Sequence, residues 1–309
     1  EALEWTDLPL GTPGPGEVLV RQTAVGVNFI DIYFRTGLYP WPGDTITPGG
    51  EAAGIVEAVG EGASLKPGDR VAYVSRNGAY REQRVMPEAD LVSLPDGIDE
   101  RLAASVMLKG LTVHYLVNSS YQVKPGDTVL VHAAAGGVGL LIGQWLNSMG
   151  ARAIGTAGSA EKVALAKAHG YDAVINYRTE DFVEAVGTLT GGSGVAAVYD
   201  GVGRDTWEGS LKCLSRLGTL VSFGQSSGPL DGFTMAHLAG GSFTAVRPVL
   251  FDYIATRQAL EARTGELFEM LQTGKVTAKV AHERPLTEAG DVHRALEGRS
   301  TTGSTVLLP

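Results

Sequence analysis

The segment with the clearest chemical potential is Ala133-Ala134-Ala135-Gly136-Gly137-Val138-Gly139, which follows directly on the apolar run at 128–132. Laid on the dinucleotide fingerprint, Ala134 takes the first glycine position, Gly136 the second and Gly139 the third. A glycine at the second position lets the main chain approach a pyrophosphate, and one at the third lets the following helix pack close to its strand. The helix N-terminus offers unpaired N–H groups and the positive end of its dipole to the phosphates. In isolation such a turn is a weak signal, because many glycine-rich turns serve packing alone. Here it joins a strand to an apolar helix at the start of a strand–helix–strand unit. The turn residues Gly136, Gly137, Val138 and Gly139 are therefore expected to bind a dinucleotide.

The end of the next strand selects among nucleotides. An acid there accepts hydrogen bonds from the ribose 2′-hydroxyl of NAD, but this chain reads Thr156-Ala157-Gly158-Ser159-Ala160-Glu161-Lys162. Small residues leave room for a 2′-phosphate, Ser159 can donate a hydrogen bond, and Lys162 can supply charge. Charge-assisted hydrogen bonds contribute roughly 1.5–3 kcal/mol each, so NADPH is expected to be preferred over NADH. Glu161 is the discordant residue and must point away.

These residues need a frame, and the pattern of the chain supplies one. From about Lys124 onward strands expected at 128–132, 153–156, 173–176, 196–200 and 219–223 alternate with helices at 138–149, 160–169, 180–189 and 205–214. Gly150 and Gly170 stand where helix C′ residues belong. This alternation predicts a parallel sheet with helices on both faces. The first hundred residues are β-rich instead, with β-branched runs at 18–24 and 55–59 punctuated by Gly and Pro. Lys66-Pro67-Gly68-Asp69 and Lys124-Pro125-Gly126-Asp127 each precede a strand, and Pro-Gly sets the central residues of a type II turn. After Arg247-Pro248 a long helix over 253–273 and a closing strand at 305–308 are expected, the latter returning to the first unit.

Composition narrows the function classes. Of 309 residues, 44% are hydrophobic and 19% charged, as in an ordinary globular protein, and length suggests two domains. The net charge is −9 and no Lys/Arg run occurs, so nucleic acid is not an expected partner. No apolar stretch is long enough for a membrane span. The single cysteine, Cys213, forms no intrachain disulfide and fits a reducing, cytoplasmic setting.

The glycine turn resembles the signature of the zeta-crystallin-like quinone oxidoreductases, a zinc-free branch of the medium-chain dehydrogenases. Asn28-Phe29-Ile30-Asp31, Arg35, Gly37-Leu38-Tyr39-Pro40, Leu108-Lys109-Gly110-Leu111-Thr112, Ile175-Asn176-Tyr177, Val198-Tyr199-Asp200 and Phe223-Gly224-Gln225-Ser226-Ser227-Gly228 agree with it, so the likeness runs over nearly the whole chain. The resemblance implies an α/β protein, with a GroES-like β-rich catalytic domain over 1–112 and 248–309 and a Rossmann doubly wound parallel-sheet domain over 113–247. It implies a homodimer that uses NADPH. It also implies cofactor contacts from Asn28, Phe29, Tyr33, Thr112, Gly158, Ser159, Lys162, Tyr177, Phe223, Gly224, Ser226 and Arg299, besides the glycine turn. Tyr177 and Lys162 would flank the 2′-phosphate, and Tyr33 and Tyr39 would line a quinone pocket. The family pattern places one further strand ahead of the position of Glu1.

Zinc dehydrogenases of the same superfamily carry Cys, His and Cys at positions that correspond here to Asn28, Gly50 and Lys109, none of them a usual zinc ligand. A metal-free enzyme is expected. Gly224-Gln225-Ser226-Ser227-Gly228 fits the nucleophile-elbow pattern, but an elbow requires a following helix and Pro229 comes next. Without metal or nucleophile, the chemistry left is direct hydride transfer to a substrate that accepts it readily, with Asn28, Tyr33 or Tyr39 as hydrogen-bond donors to the developing oxyanion. A small-molecule quinone is the expected substrate. Activated alkenes such as enones are the alternative, and a non-catalytic structural or RNA-binding role ranks below both.

Overall fold

The computed structural model describes residues 3–43 and 45–309, and they fall into two compact units. The first comprises residues up to 111 together with 256–272 and 278–309, and the second comprises 112–255 with 273–277.

The chain enters the first unit through β1 (Glu17–Gly26), in which Val18 and Val20 are buried while Arg21 is exposed, the two-residue period of a half-buried strand. A short helix α1 (Phe29–Arg35) follows, and then β2 (Glu51–Val59), β3 (Arg70–Val74), β4 (Gln83–Pro87) and β5 (Leu91–Ser93). β2 pairs with β1 and β3, and β3 with β5, all antiparallel. The other edge of β1 is shared: residues 17–21 pair with β4, and Val25 and Gly26 with a strand from the far end of the chain. Helix α2 (Glu100–Tyr115) then leads into the second unit.

That unit contains β6 (Thr128–Val131), α3 (Gly137–Ser148), β7 (Arg152–Ala157), α4 (Ala160–Lys167), β8 (Ala173–Asn176), α5 (Phe182–Leu189), β9 (Val195–Asp200), α6 (Trp207–Cys213), β10 (Leu214–Ser222), β11 (Thr244–Val246) and α7 (Leu250–Tyr253). The six strands form a parallel sheet in the order β11-β10-β9-β6-β7-β8. The order reverses between β6 and β9, and ligands of such sheets bind outside the carboxyl ends of the strands at that point. Leu130, Ile154 and Val198 are fully buried in the core between sheet and helices.

The chain returns to the first unit through α8 (Arg257–Gln272), β12 (Val280–Pro285), α9 (Ala289–Glu297) and β13 (Ser304–Leu308), the strand that pairs with β1. The single helix expected over 253–273 is two helices. Thr256 ends the first possibility of continuation by capping the second, since its Oγ1 accepts the Ala259 amide at 3.1 Å. The two Lys-Pro-Gly-Asp segments are the same turn. Gly68 and Gly126 have φ of 97° and 88°, and Asp69 and Asp127 each accept the amide of the opening lysine at 2.8 Å. Among the described residues no helix is long and apolar enough to cross a membrane.

Candidate active site

The glycine turn lies at the carboxyl end of β6, where the strand order reverses. Ala133 carries the left-handed conformation, with φ of 55°, and the Ala134 amide donates to the Thr156 carbonyl of β7 at 2.9 Å. Ala134 can replace the first glycine because Gly155 faces it: a β-carbon on Gly155 would stand 2.7 Å from the Ala134 methyl. A β-carbon on Gly139 would stand 2.3 Å from the Ala133 carbonyl oxygen, so only glycine lets α3 start here. Gly136 is the N-cap of α3 and has no side chain to satisfy the amides of the first turn. They are left for an external acceptor, and a β-carbon on Gly136 would project into open space apart from the Ala133 oxygen at 3.2 Å. This cradle fits a pyrophosphate.

The end of β7 also fits the phosphorylated nucleotide. Ser159 caps α4, its Oγ accepting the Lys162 amide at 3.3 Å, which leaves the hydroxyl proton free to donate outward. A β-carbon on Gly158 would stand 2.4 Å from the Tyr177 hydroxyl, so glycine is what lets the Tyr177 ring lie over this strand end. Glu161 is exposed and Lys162 half-buried. Gly158, Ser159, Lys162 and Tyr177, drawn from two strand ends and one helix, are thus brought together. We expect Lys162→Ala to raise KM for NADPH about tenfold or more and that for NADH little, as steady-state kinetics with both cofactors would show.

Sequence reasoning passed over the acid that organises the same rim. Asp200, at the end of β9, is buried, and its Oδ1 accepts the amides of Val202 and Gly203 at 2.8 and 3.0 Å while Oδ2 accepts the Ser210 hydroxyl at 2.9 Å. Ser210 Oγ meets His132 Nε2 at 3.0 Å, and His132 Nδ1 meets Thr156 Oγ1 at 2.9 Å. Burial pushes the His132 imidazole down, with Asp200 opposing it, and the ring links the ends of β6, β7 and β9 through hydrogen bonds. An acid closing a buried parallel strand was the available signal. Phe223 and Gly224 follow β10, their amides directed at the Asp200 carbonyl at 2.9 and 3.4 Å, and the Ser226 amide donates to the Gly201 carbonyl at 3.2 Å. Ser227 donates to the Val202 carbonyl at 2.8 Å. Residues 224–232 are turns and irregular chain, not the helix of a nucleophile elbow. Thr112 is buried on α2.

In the first unit, Asn28 precedes α1, and Phe29, Tyr33 and Tyr39 form one aromatic series: the centroids are 6.1 Å apart for Phe29 and Tyr33 and 5.1 Å for Tyr33 and Tyr39. The Tyr39 amide donates to the Tyr33 carbonyl at 3.0 Å, which folds the segment after α1 back onto the helix. Arg299 is exposed, with φ of 55°, in the turn before β13.

The positions expected to replace zinc ligands are adjacent in space. Asn28 Nδ2 and Lys109 Nζ both donate to Glu51 Oε1, at 2.8 and 2.7 Å. A side chain on Gly50 would meet Leu108 Cδ1 at 2.8 Å. An ammonium and a carboxamide donor around one carboxylate do not fit a zinc ion, which needs deprotonated S, N or O ligands and is repelled by a fixed cation. Among the described residues no three His, Cys, Asp or Glu side chains are grouped to hold a metal.

Residues 14–96 match the alcohol dehydrogenase GroES-like domain and residues 137–263 the family described as zinc-binding dehydrogenase. A GroES-like β unit and a doubly wound nucleotide fold in one chain are the two parts of a medium-chain dehydrogenase or reductase. The quinone oxidoreductase of Pseudomonas aeruginosa is 48% identical over 312 residues, covering 100% of this chain and 96% of the relative. The crystal structure of Escherichia coli quinone oxidoreductase complexed with NADPH superimposes with a TM-score of 0.96 at 45% identity, covering 98% of this chain and 95% of that one. A 2-haloacrylate reductase from Burkholderia sp is 41% identical, covering 99% of this chain and 94% of the relative. The chain belongs to the quinone oxidoreductase family.

Proposed function

We propose that this protein is an NADPH-dependent quinone reductase that works without a metal ion. What carries the reading is a phosphate-binding turn followed by a strand end with no acid, in a chain that matches quinone oxidoreductases over its full length. NADPH supplies the hydride, and two-electron reduction of a quinone is favourable because the ring becomes aromatic. The amides of Gly137, Val138 and Gly139 hold the pyrophosphate, and Ser159, Lys162 and Tyr177 hold the 2′-phosphate. Thr112, the Phe223–Ser226 segment, with Gly224, and Arg299 complete the cofactor contacts.

The protein's remaining task is to hold donor and acceptor in contact, exclude water and stabilise the developing oxyanion. Asn28, Tyr33 and Tyr39 supply the hydrogen-bond donors, and Phe29 adds an apolar face. No single one of them is required as a proton donor, because solvent can complete the hydroquinone. Tyr39→Phe is accordingly expected to lower kcat by less than about tenfold; complete loss of turnover would mark Tyr39 as an obligatory proton source.

Activated alkenes are the second reading, favoured by the likeness to a 2-haloacrylate reductase. Initial rates with NADPH and 1,4-benzoquinone, 9,10-phenanthrenequinone and small enones separate the two. Rates with the quinones far above those with the enones support the primary reading, and the reverse order removes it. The same reading includes a homodimer and a cytoplasmic location.

A further inference from the structure

The first unit buries two carboxylates and one ammonium around Asn28. Glu51 and Asp31 are fully buried and Lys109 nearly so. Glu51 is well provided for: Lys109 Nζ and Asn28 Nδ2 donate to its Oε1, and the Leu108 amide donates to Oε2 at 2.6 Å. Because a carboxylate only accepts, the Asn28 carboxamide must present its nitrogen to Glu51, which leaves its second N–H free.

Asp31 is held differently. Its Oδ2 accepts the Asn28 main-chain N–H at 2.8 Å and the Tyr80 hydroxyl at 3.1 Å, whereas its Oδ1 is buried with no partner among the described residues. That oxygen faces Gly50, 3.6 Å from where a β-carbon would stand. The direction of the chain behind Tyr80 follows from donor chemistry. The Arg35 guanidinium can only donate to His293 Nδ1, 3.3 Å away, so His293 Nε2 carries the ring proton and donates to the Tyr80 oxygen at 2.9 Å. The Tyr80 proton is then committed to Asp31. Arg35 is itself paired with Glu297 at 2.6 Å.

Two buried acids thus share one buried cation, and the cation is paired with Glu51. A second ionised carboxylate with an unpartnered oxygen is strongly disfavoured in such a place, whereas a neutral acid puts its proton on that oxygen. We propose that Asp31 is a positioning residue for quinone reduction: as a neutral carboxylic acid it anchors Asn28 through the main chain and keeps the Asn28–Glu51–Lys109 cluster free of a second negative charge. Burial pushes the Asp31 carboxyl up to about 7, with Glu51 adding to the rise and the Asn28 amide, the Tyr80 hydroxyl and Lys109 opposing it. Burial and the neighbouring Arg35 hold His293 down at about 4, so it is neutral throughout the relevant range. Ionisation of Asp31 places negative charge beside the Asn28 donor and opposes charge building on a quinone oxygen. Turnover therefore falls as pH rises through that ionisation. The inference rests on the reading of Asn28 as a donor in an NADPH-dependent quinone reductase.

The test compares wild type, Asp31→Asn and Tyr80→Phe. Asn reproduces the neutral acid, with a carbonyl for the two donors and an N–H group at the unpartnered position, and it cannot ionise. With NADPH and 9,10-phenanthrenequinone, wild-type kcat should decline above neutrality toward about tenfold per pH unit. Asp31→Asn should lack that alkaline limb, and Tyr80→Phe, which removes a hydrogen bond that favours the ionised form, should move it to higher pH. KM for NADPH should change little in either variant. Infrared spectra of the protein without cofactor give an independent readout between about pH 6 and about pH 9. A neutral-acid carbonyl band should titrate away in wild type, be missing in Asp31→Asn and titrate at higher pH in Tyr80→Phe. An unaltered alkaline limb in Asp31→Asn, or an unaltered band in Tyr80→Phe should the first variant not fold, overturns the proposal. Absence of quinone turnover in wild type sinks the functional reading instead, and the infrared titration tells the two failures apart.

Discussion

Lys109→Met is expected to destabilise the folded chain by about 3–5 kcal/mol near pH 7, seen as a lower urea midpoint with an unchanged slope. The size of the effect comes from what is left behind. Glu51 is fully buried, and the Lys109 ammonium at 2.7 Å is the one cation bonded to it among the described residues. The Asn28 carboxamide and the Leu108 amide would still donate to the carboxylate, but neither carries a charge. Methionine matches the aliphatic length of lysine, so the loss reports the missing charge more than a cavity. Adding Glu51→Gln to Lys109→Met removes the orphaned charge and should recover most of the stability. A single variant as stable as wild type would mean that water, not Lys109, solvates Glu51. Exposed pairs such as Arg21–Glu57 should by contrast contribute under about 1 kcal/mol.

Gly139→Ala should weaken NADPH binding by about a hundredfold or more, as measured by quenching of tryptophan fluorescence. Its β-carbon would stand 2.3 Å from the Ala133 oxygen and 2.6 Å from the Ala134 carbonyl carbon, main-chain atoms that cannot swing aside. The turn must open, and losing two amide–phosphate hydrogen bonds at roughly 1.5–3 kcal/mol each gives that factor. Gly136→Ala separates cradle from scaffold. Its β-carbon would meet only the Ala133 oxygen at 3.2 Å, so the thermal midpoint without cofactor should change little while NADPH affinity falls. Equal affinity in Gly136→Ala and wild type would remove the pyrophosphate from this turn.

Much of the molecule was legible before folding because its signals are local. Strand–helix alternation, the punctuation by Gly150 and Gly170, and the twin Lys-Pro-Gly-Asp turns each depend on a few consecutive residues, whose φ preferences and apolar period act over short range. The glycine turn and the acid-free end of β7 were readable for the same reason, as was the lack of zinc-ligand types at positions 28, 50 and 109.

What only the tertiary structure decided is where charge is buried and what answers it. Lys109 and Glu51 lie 58 residues apart in the chain, and Arg35 and Glu297 lie 262 apart, so no local pattern announces either pair. Nothing in the local sequence marks His132, whose ring is tied in only where Ser210, Thr156 and Asp200 close around it, and Asp31 read as one member of a short motif until Tyr80 and His293 arrived from elsewhere. A titratable group's free energy depends on desolvation and on the few groups within hydrogen-bonding reach. Those neighbours exist only after the chain has folded.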